Sequence, residues 1–348
     1  SGEDALKLVQ ENGPYAVIVS DFMMPGMNGI EFLAYVKKTS PDTVRMMLTG
    51  SADMPTAIRA VNEGNIFQFH PKPCPADILS QAIQSAIQKY HKVVSHQQQL
   101  NNFKSSLEKA SQLQHELLPK SDPDFDGFDI AGRSIWCDET GGDYYDFILQ
   151  SGDPKNLLSV VVGDISGHGI DSALLMTTAR AFLRMRASMA GSITEIVSAM
   201  NRHLARDIFD TGKFMTLFYL VIDAKKRSIE WIRAGHEPAW LFDPKKNRFE
   251  ELKGPGMALG VIEDYEYGSN HRHHLENGQV IIVGTDGIWE GHNKAGEMFG
   301  KQRLQALIRK YASSSAETML KTIFDEHRFF TRDARREDDL TAVIIKIR

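Results

Sequence analysis

The side chains best suited to chemistry are carboxylates that stand where an apolar run meets a glycine. Asp143 follows Gly141 and Gly142. Asp164 ends the run Val160, Val161, Val162 and Gly163, and Asp286 lies between Thr285 and Gly287 after the apolar residues 280–283. Asp338 and Asp339 together open the last apolar run, 340–347. Strand ends on a rigid scaffold can aim such side chains at a common point. Gathered without Lys or Arg, they would repel one another and resist ionisation unless cations joined them. Hard divalent ions, Mn2+ or Mg2+, resolve that conflict because they prefer carboxylate and water to sulfur. A pair of such ions makes water nucleophilic near neutral pH and steadies phosphoryl oxygens during in-line displacement.

A second set lies nearer the start. Asp21 follows the apolar residues 16–20, Thr49 ends another short apolar run, and Lys72 stands in His70, Pro71, Lys72, Pro73 after a third. Carboxyl ends of neighbouring parallel strands are where open sheets place ligands. An acid, a hydroxyl and an ammonium there suit phosphoryl chemistry on the acid, with the other two contacting the phosphoryl oxygens.

Two kinds of scaffold must position these sets. Over residues 1–82, Ala5, Leu6 and Val9 mark a helix face, 16–19 a buried strand, 30–36 a helix, 45–48 a strand, 57–61 a helix and 66–69 a strand. That alternation predicts an α/β, doubly wound parallel sheet. Residues 83–118 contain neither Gly nor Pro, and their apolar residues recur at steps of mostly three and four. One long amphipathic helix is expected, its stripe shifting phase near Gln97, Gln98 and Gln99 and covered by a second copy in a parallel coiled coil. The polar, proline-containing run 120–126 closes this linker, assigned to 83–120. Residues 121–348 read as α+β, with strands at 157–162, 215–222, 228–233, 280–283 and 340–347. Helices are expected at 172–190, 193–208, 304–312 and 316–330. Two sheets flanked by helices, four layers in all, accommodate that pattern.

A chain of 348 residues exceeds one ordinary core, so two domains are expected. Forty basic residues against 45 acidic leave −5, with no basic stripe, which argues against nucleic acid as a partner. No apolar run approaches the roughly 20 residues of a spanning helix, and no basic-then-apolar leader opens at Ser1, so no membrane association is expected and a cytoplasmic location is. Cys74 and Cys137 match no metal-binding spacing and read as reduced thiols.

The first segment, about ninety residues, resembles the receiver domain of response regulators. The resemblance implies Asp21 as phosphoacceptor, Thr49 as the switch hydroxyl, Phe69 as the aromatic that reorients with it, Lys72 as the phosphoryl-sensing lysine, and a sensor histidine kinase as partner. Receivers begin with a strand ending in an acidic pair that holds Mg2+; this sequence starts after that point, so either those residues precede Ser1 in the protein or the domain is truncated at its start. A receiver without those carboxylates would be phosphorylated poorly.

From about Phe128 onward the chain resembles the PPM (type 2C) metal-dependent Ser/Thr phosphatases, in the bacterial class of sporulation and sigma-factor regulators. The likeness implies two ions of Mn2+ or Mg2+ bridged by Asp143 and Asp164, the backbone carbonyl of Ile165 as a further ligand, Asp286 on one ion, and Asp338 completing the site, with Asp339 as its rival. It also implies hydrolysis of phosphoserine or phosphothreonine without a phosphoenzyme, a phosphorylated anti-sigma antagonist as substrate, control by the receiver, and a homodimer formed through the linker. The competing expectation is a catalytically silent adaptor that binds a sigma factor or anti-sigma regulator; the complete acid set favours catalysis.

Other residues have plainer readings. Asp146 orders a neighbouring turn or a water. His168, between two glycines, either donates to a phosphate or shapes its turn. His236 sits in a tight turn with no assigned chemistry, and His271, His273 and His274 read as surface residues. Leu174, Leu175 and Met176 read as the buried face of a helix. Arg133 is too far from the first acid to take the phosphate-gripping role of an arginine in the eukaryotic enzymes.

Overall fold

In the computed structural model, a capping box between Ser1 and Asp4 starts helix α1 (Gly2–Asn12), and the same device between Asn28 and Glu31 starts α2 (Gly29–Thr39). The structure describes residues 1–50, 66–149 and 156–348. The expected helix at 57–61 lies outside them. Three short apolar strands, β1 (Val17–Asp21), β2 (Val44–Thr49) and β3 (Gln68–Pro71), pair in parallel in that order. Val9 of α1 and Phe32, Leu33 and Val36 of α2 pack with Met47 on one face of this sheet. On the other, Ala82 and Ala86 pack with Val44 and Met46.

Those two alanines belong to α3 (Ala76–Leu117), a 42-residue helix. It begins seven residues before 83, because its first turns cover the parallel sheet. The chain divides into two units inside this helix, Ser1–Ser106 and Leu107–Arg348. Leu100 and Phe103 remain about half exposed on it, at 48% and 58%. Among the described residues, no helix is long and apolar enough to cross a membrane.

The second unit is built on two antiparallel sheets of five strands. One contains β4 (Phe128–Ile135), β9 (Ala239–Asp243), β10 (Arg248–Leu252), β12 (Val280–Gly284) and β13 (Leu340–Ile347), in the order β10-β9-β12-β13-β4. The other contains β5 (Tyr144–Leu149), β6 (Leu157–Ile165), β7 (Met215–Asp223), β8 (Ser228–Ala234) and β11 (Asn270–Arg272), in the order β11-β8-β7-β6-β5. Strands β12 and β13 read as largely apolar runs because both of their faces are covered. Ile281, Val283, Val343 and Ile345 join the core shared with the other sheet. Val280, Ile282, Ala342 and Ile344 meet Leu304, Ile308, Met319 and Ile323 of the helices on the outer side. Helices α4 (Ile170–Ala187) and α5 (Ile193–Ile208) supply Met176, Leu183, Ile196 and Met200 to the shared core. A short α6 (Gly287–Glu290), then α7 (Lys301–Lys310) and α8 (Ala316–Thr331), complete the outer layer. The helix–sheet–sheet–helix order matches the expectation.

Two of the plainer readings need correction. Leu174 is 65% exposed while Met176 is fully buried, so only part of that run faces the core. Asp146 is fully buried and orders no turn: Arg184 donates to both its oxygens at 2.6 Å, and the Tyr144 hydroxyl donates at 2.6 Å. Removing one partner of a buried ion pair leaves an uncompensated charge. Arg184 is itself 42% exposed, so water screens part of the pair. Arg184→Met is therefore expected to cost about 2 kcal/mol in urea denaturation, below the range for fully buried pairs, since Tyr144 and the Phe147 amide still donate to Asp146.

Candidate metal centre

Strands β5 and β6 pair with Tyr144 opposite Gly163, which sets Asp143 beside Asp164 at the end of one sheet. Asp286 follows β12 and Asp338 precedes β13, so the other two carboxylates come from the facing sheet. Thr285 ties the halves together: its hydroxyl donates to Asp143 Oδ2 at 2.8 Å and accepts from the Thr341 amide at 3.0 Å. Gly287 permits a close approach no other residue allows, since a Cβ there would lie 2.0 Å from the Asp339 carbonyl oxygen. At Gly142 a Cβ would lie 3.0 Å from the carbonyl oxygen of Ile165, which places that carbonyl beside the loop leading into Asp143.

The electrostatics are those of crowded acids. Burial first, then Asp164 and Asp339, hold the Asp143 carboxyl well above its ordinary range. Asp164 is pushed up to about 8, by burial first and then by Asp286, Asp338 and Asp339. Asp286 and Asp338 are raised as well, chiefly by burial. Among the described residues no Lys or Arg forms an ion pair with any of the four. Four carboxylates and a nearby carbonyl make a hard oxygen donor set of the kind that fits Mg2+ or Mn2+. Among the described residues, no three His, Cys, Asp or Glu side chains are gathered as a ready ligand group. Ions that keep several of their waters, as Mg2+ does, need fewer direct carboxylates than such a group supplies.

The acidic pair divides its labour. Asp339, 3% exposed, accepts from the Cys137 amide on Oδ1 at 2.7 Å, and on Oδ2 from Gly142 at 2.8 Å and Asp143 at 3.3 Å. Both its oxygens are thus engaged in holding the loop that carries Asp143. Among the described residues, Asp338 accepts only the Asp339 amide, at 2.8 Å on Oδ1. Asp339→Ala is accordingly expected to lower the metal-free unfolding free energy by at least about 3 kcal/mol, because buried amides lose charge-assisted partners. Asp338→Asn should raise the metal-free melting temperature, since it removes a carboxylate that its surroundings disfavour. Both are read from thermal and denaturant melts in chelator.

Spacing in the sequence offered no sign of Gln114. This buried residue in the last turn of α3 donates to the Gly141 carbonyl at 2.7 Å and accepts from the Gly141 amide at 3.2 Å. Beside it His115 stacks on Trp136, with ring centroids 3.9 Å apart. The end of the long helix therefore grips the same loop that Asp339 holds from the other side. His168 is largely exposed and pairs through Nδ1 with Asp138 at 2.6 Å. His271 faces Glu230 across the β8–β11 pairing and is exposed, as expected of a surface residue. Arg133 is exposed on β4.

In the first unit the parallel register places Asp21 opposite Leu48 and Thr49 opposite Pro71, so Asp21, Thr49 and Lys72 share one edge of the sheet. Lys72 forms an ion pair with Asp21, and this contact, first of its influences, holds the Asp21 carboxyl below its ordinary range. Thr49 is fully buried and Phe69 half-buried.

Comparison with known proteins agrees with both units. Residues 154–348 match the profile of the family described as stage II sporulation protein E (SpoIIE), and residues 1–84 that of the response regulator receiver domain. The chain is 29% identical over 244 residues to the phosphoserine phosphatase RsbU of Bacillus subtilis (strain 168), covering 70% of each protein. It is 26% identical over 194 residues to the phosphoserine phosphatase RsbP of the same organism, covering 54% of this chain and 46% of that one. The fold is shared with the SiaA-PP2C domain of Pseudomonas aeruginosa at a TM-score of 0.61 and 20% identity, covering 72% of this chain and 98% of that one. The match extends over more than half of the sequence: the chain belongs to the stage II sporulation protein E family of PP2C-type Ser/Thr protein phosphatases and carries a response regulator receiver domain before the phosphatase fold.

Proposed function

We propose that the second unit removes phosphate from phosphoserine or phosphothreonine on a protein, using two divalent ions, Mn2+ or Mg2+, held by Asp143, Asp164, Asp286, Asp338 and the carbonyl of Ile165. The observation that carries this reading is the crowding of four desolvated carboxylates from two facing sheets, each with its pKa raised. A protein keeps such acids together when cations join them. When bound, the ions supply a nucleophilic water and neutralise the phosphoryl oxygens. The chain's own contribution is placement. Asp143 and Asp164 would hold the ions from one sheet, Thr285 orients Asp143, and Asp339 fixes the backbone beside it. His168, largely exposed on the turn after Asp164, is held by its pairing with Asp138.

The first unit sets that activity. Phosphorylation of Asp21 by a sensor histidine kinase would break its ion pair with Lys72 and draw the Thr49 hydroxyl and Phe69 toward the phosphoryl group. The exposed Leu100 and Phe103 suit pairing with a second copy along α3, giving a homodimer. The likeness to RsbU, a phosphoserine phosphatase, supports a phosphoserine substrate; on this proposal the substrate is a phosphorylated anti-sigma antagonist, met in the cytoplasm. The test is phosphate release from a phosphoserine protein or peptide with Mn2+, with chelator, and with Asp21→Ala beside phosphorylated protein. Metal-dependent release that differs between the last two supports the whole reading. Equal activity would remove control by the receiver, and no release by folded, metal-loaded protein would favour an adaptor.

A further inference from the structure

His236 occupies the crossing from one sheet to the other, in the connection between β8 and β9, and is 3% exposed. The turn is fixed from several sides. Gly235 has φ +70°, and a Cβ on it would lie 2.8 Å from the Ala258 backbone nitrogen. Arg233 donates to the His236 carbonyl at 2.9 Å and to the Gly254 carbonyl at 2.7 Å. The ring so placed meets two strands. Its Nδ1 lies 2.9 Å from the hydroxyl of Thr216, the residue paired with Asp164 across β6 and β7. Its Nε2 is buried and has no hydrogen-bond partner among the described residues, and the backbone of Gly284, two residues before Asp286, lies close enough to act on the ring.

Burial pushes the imidazole down to about 4, so the ring is neutral at physiological pH and carries a single N–H. A threonine hydroxyl can donate or accept, so the contact between Nδ1 and Thr216 holds whichever ring nitrogen carries the proton. The Asp143 side of the site already has its ties between the sheets, through Thr285 and Asp339. On the Asp164 side His236 stands in the corresponding place.

We propose that His236 is a positioning residue that couples the strand beside Asp164 to the strand end that delivers Asp286, and so fixes the spacing between the two halves of the carboxylate set. The inference rests on the reading of Asp164 and Asp286 as ligands. Its role is exerted through those two acids and not through substrate, so its loss should weaken ion binding itself.

The experiment is Mn2+ binding to the full chain, followed by electron paramagnetic resonance and calorimetry, for wild type, Asp286→Ala, His236→Ala, His236→Gln and Thr216→Val. Leu183→Ala, in the buried face of α4, serves as a destabilised control. His236→Ala is expected to weaken Mn2+ binding about 10-fold, as removal of groups that orient ligands commonly does. His236→Gln, whose amide nitrogen reaches toward the position of Nε2, should recover part of that loss. Thr216→Val should lose affinity in the same direction by a smaller factor. Leu183→Ala should lower the melting temperature without changing the Mn2+ affinity. If folded His236→Ala binds Mn2+ as wild type does while Asp286→Ala does not, the coupling is wrong and the ligand reading stands. If wild type binds no Mn2+, both fall together. Should His236→Ala fail to fold, Thr216→Val and His236→Gln decide, and wild-type affinity in both overturns the proposal.

Discussion

Asp286→Ala is expected to reduce Mn2+-dependent phosphate release by more than about 100-fold, because groups that merely orient metal ligands already account for about 10–100-fold. Asp286 lies beyond the end of β12, and its side chain is raised in pKa by burial and then by Asp338. Its loss removes an oxygen donor while taking little from the core, since Gly287 and not Asp286 makes the close approach to the Asp339 carbonyl. The variant should therefore fold, and its metal-free melting temperature should equal or exceed that of wild type. Steady-state release from a phosphoserine peptide, with melts in parallel, checks both halves. A variant that is folded and still active would remove Asp286 from the site.

The second large effect is on stability. In the unfolded chain Asp164 ionises near 3.8, and in the folded, metal-free protein near 8. Between those values the folded state holds more protons than the unfolded one, so the unfolding free energy falls as pH rises. Asp143 is raised in the same direction and adds to the slope. Metal-free protein should consequently melt at progressively lower temperature from about pH 5 to pH 8. Adding Mn2+ at pH 7.5 should reverse the loss, by about 2.7 kcal/mol when the free ion stands 100-fold above its dissociation constant. Asp164→Asn should flatten the metal-free profile and abolish most of the Mn2+ effect. Calorimetric melts across this range, with chelator and with Mn2+, provide the measurement. A wild-type profile that is flat or rises with pH in chelator would show that the acids are not forced together.

Local pattern made some elements legible and left others hidden. Runs buried on both faces, such as β6, β7, β12 and β13, stand out as stretches in which apolar residues predominate. Amphipathic helices with Ser caps, such as α5 and α8, were readable to within a residue or so, because their capping residues and apolar spacing agree. Strands β4, β5, β9 and β10 were not anticipated: Asp129, Arg133 and Asp146 interrupt two of them, and the charged residues of β10 face outward. The start of α3 was placed late because Ala82 and Ala86 carry little hydrophobic signal, although each fits closely against β2.

The sequence alone determined the order of the parts and singled out the candidate acids, since a carboxylate between an apolar run and a glycine is a local feature. It also determined that Asp21, Thr49 and Lys72 would stand at strand ends. Only the tertiary structure decided which member of the Asp338 and Asp339 pair is left with an uncommitted oxygen, because that depends on amides some 200 residues away. The same holds for Gln114 at the loop before Asp143, for Arg184 on Asp146, and for His236 between the sheets. Each of these side chains acts on groups distant in sequence, and spacing along a chain carries no record of contacts that exist only once helices and sheets have packed together.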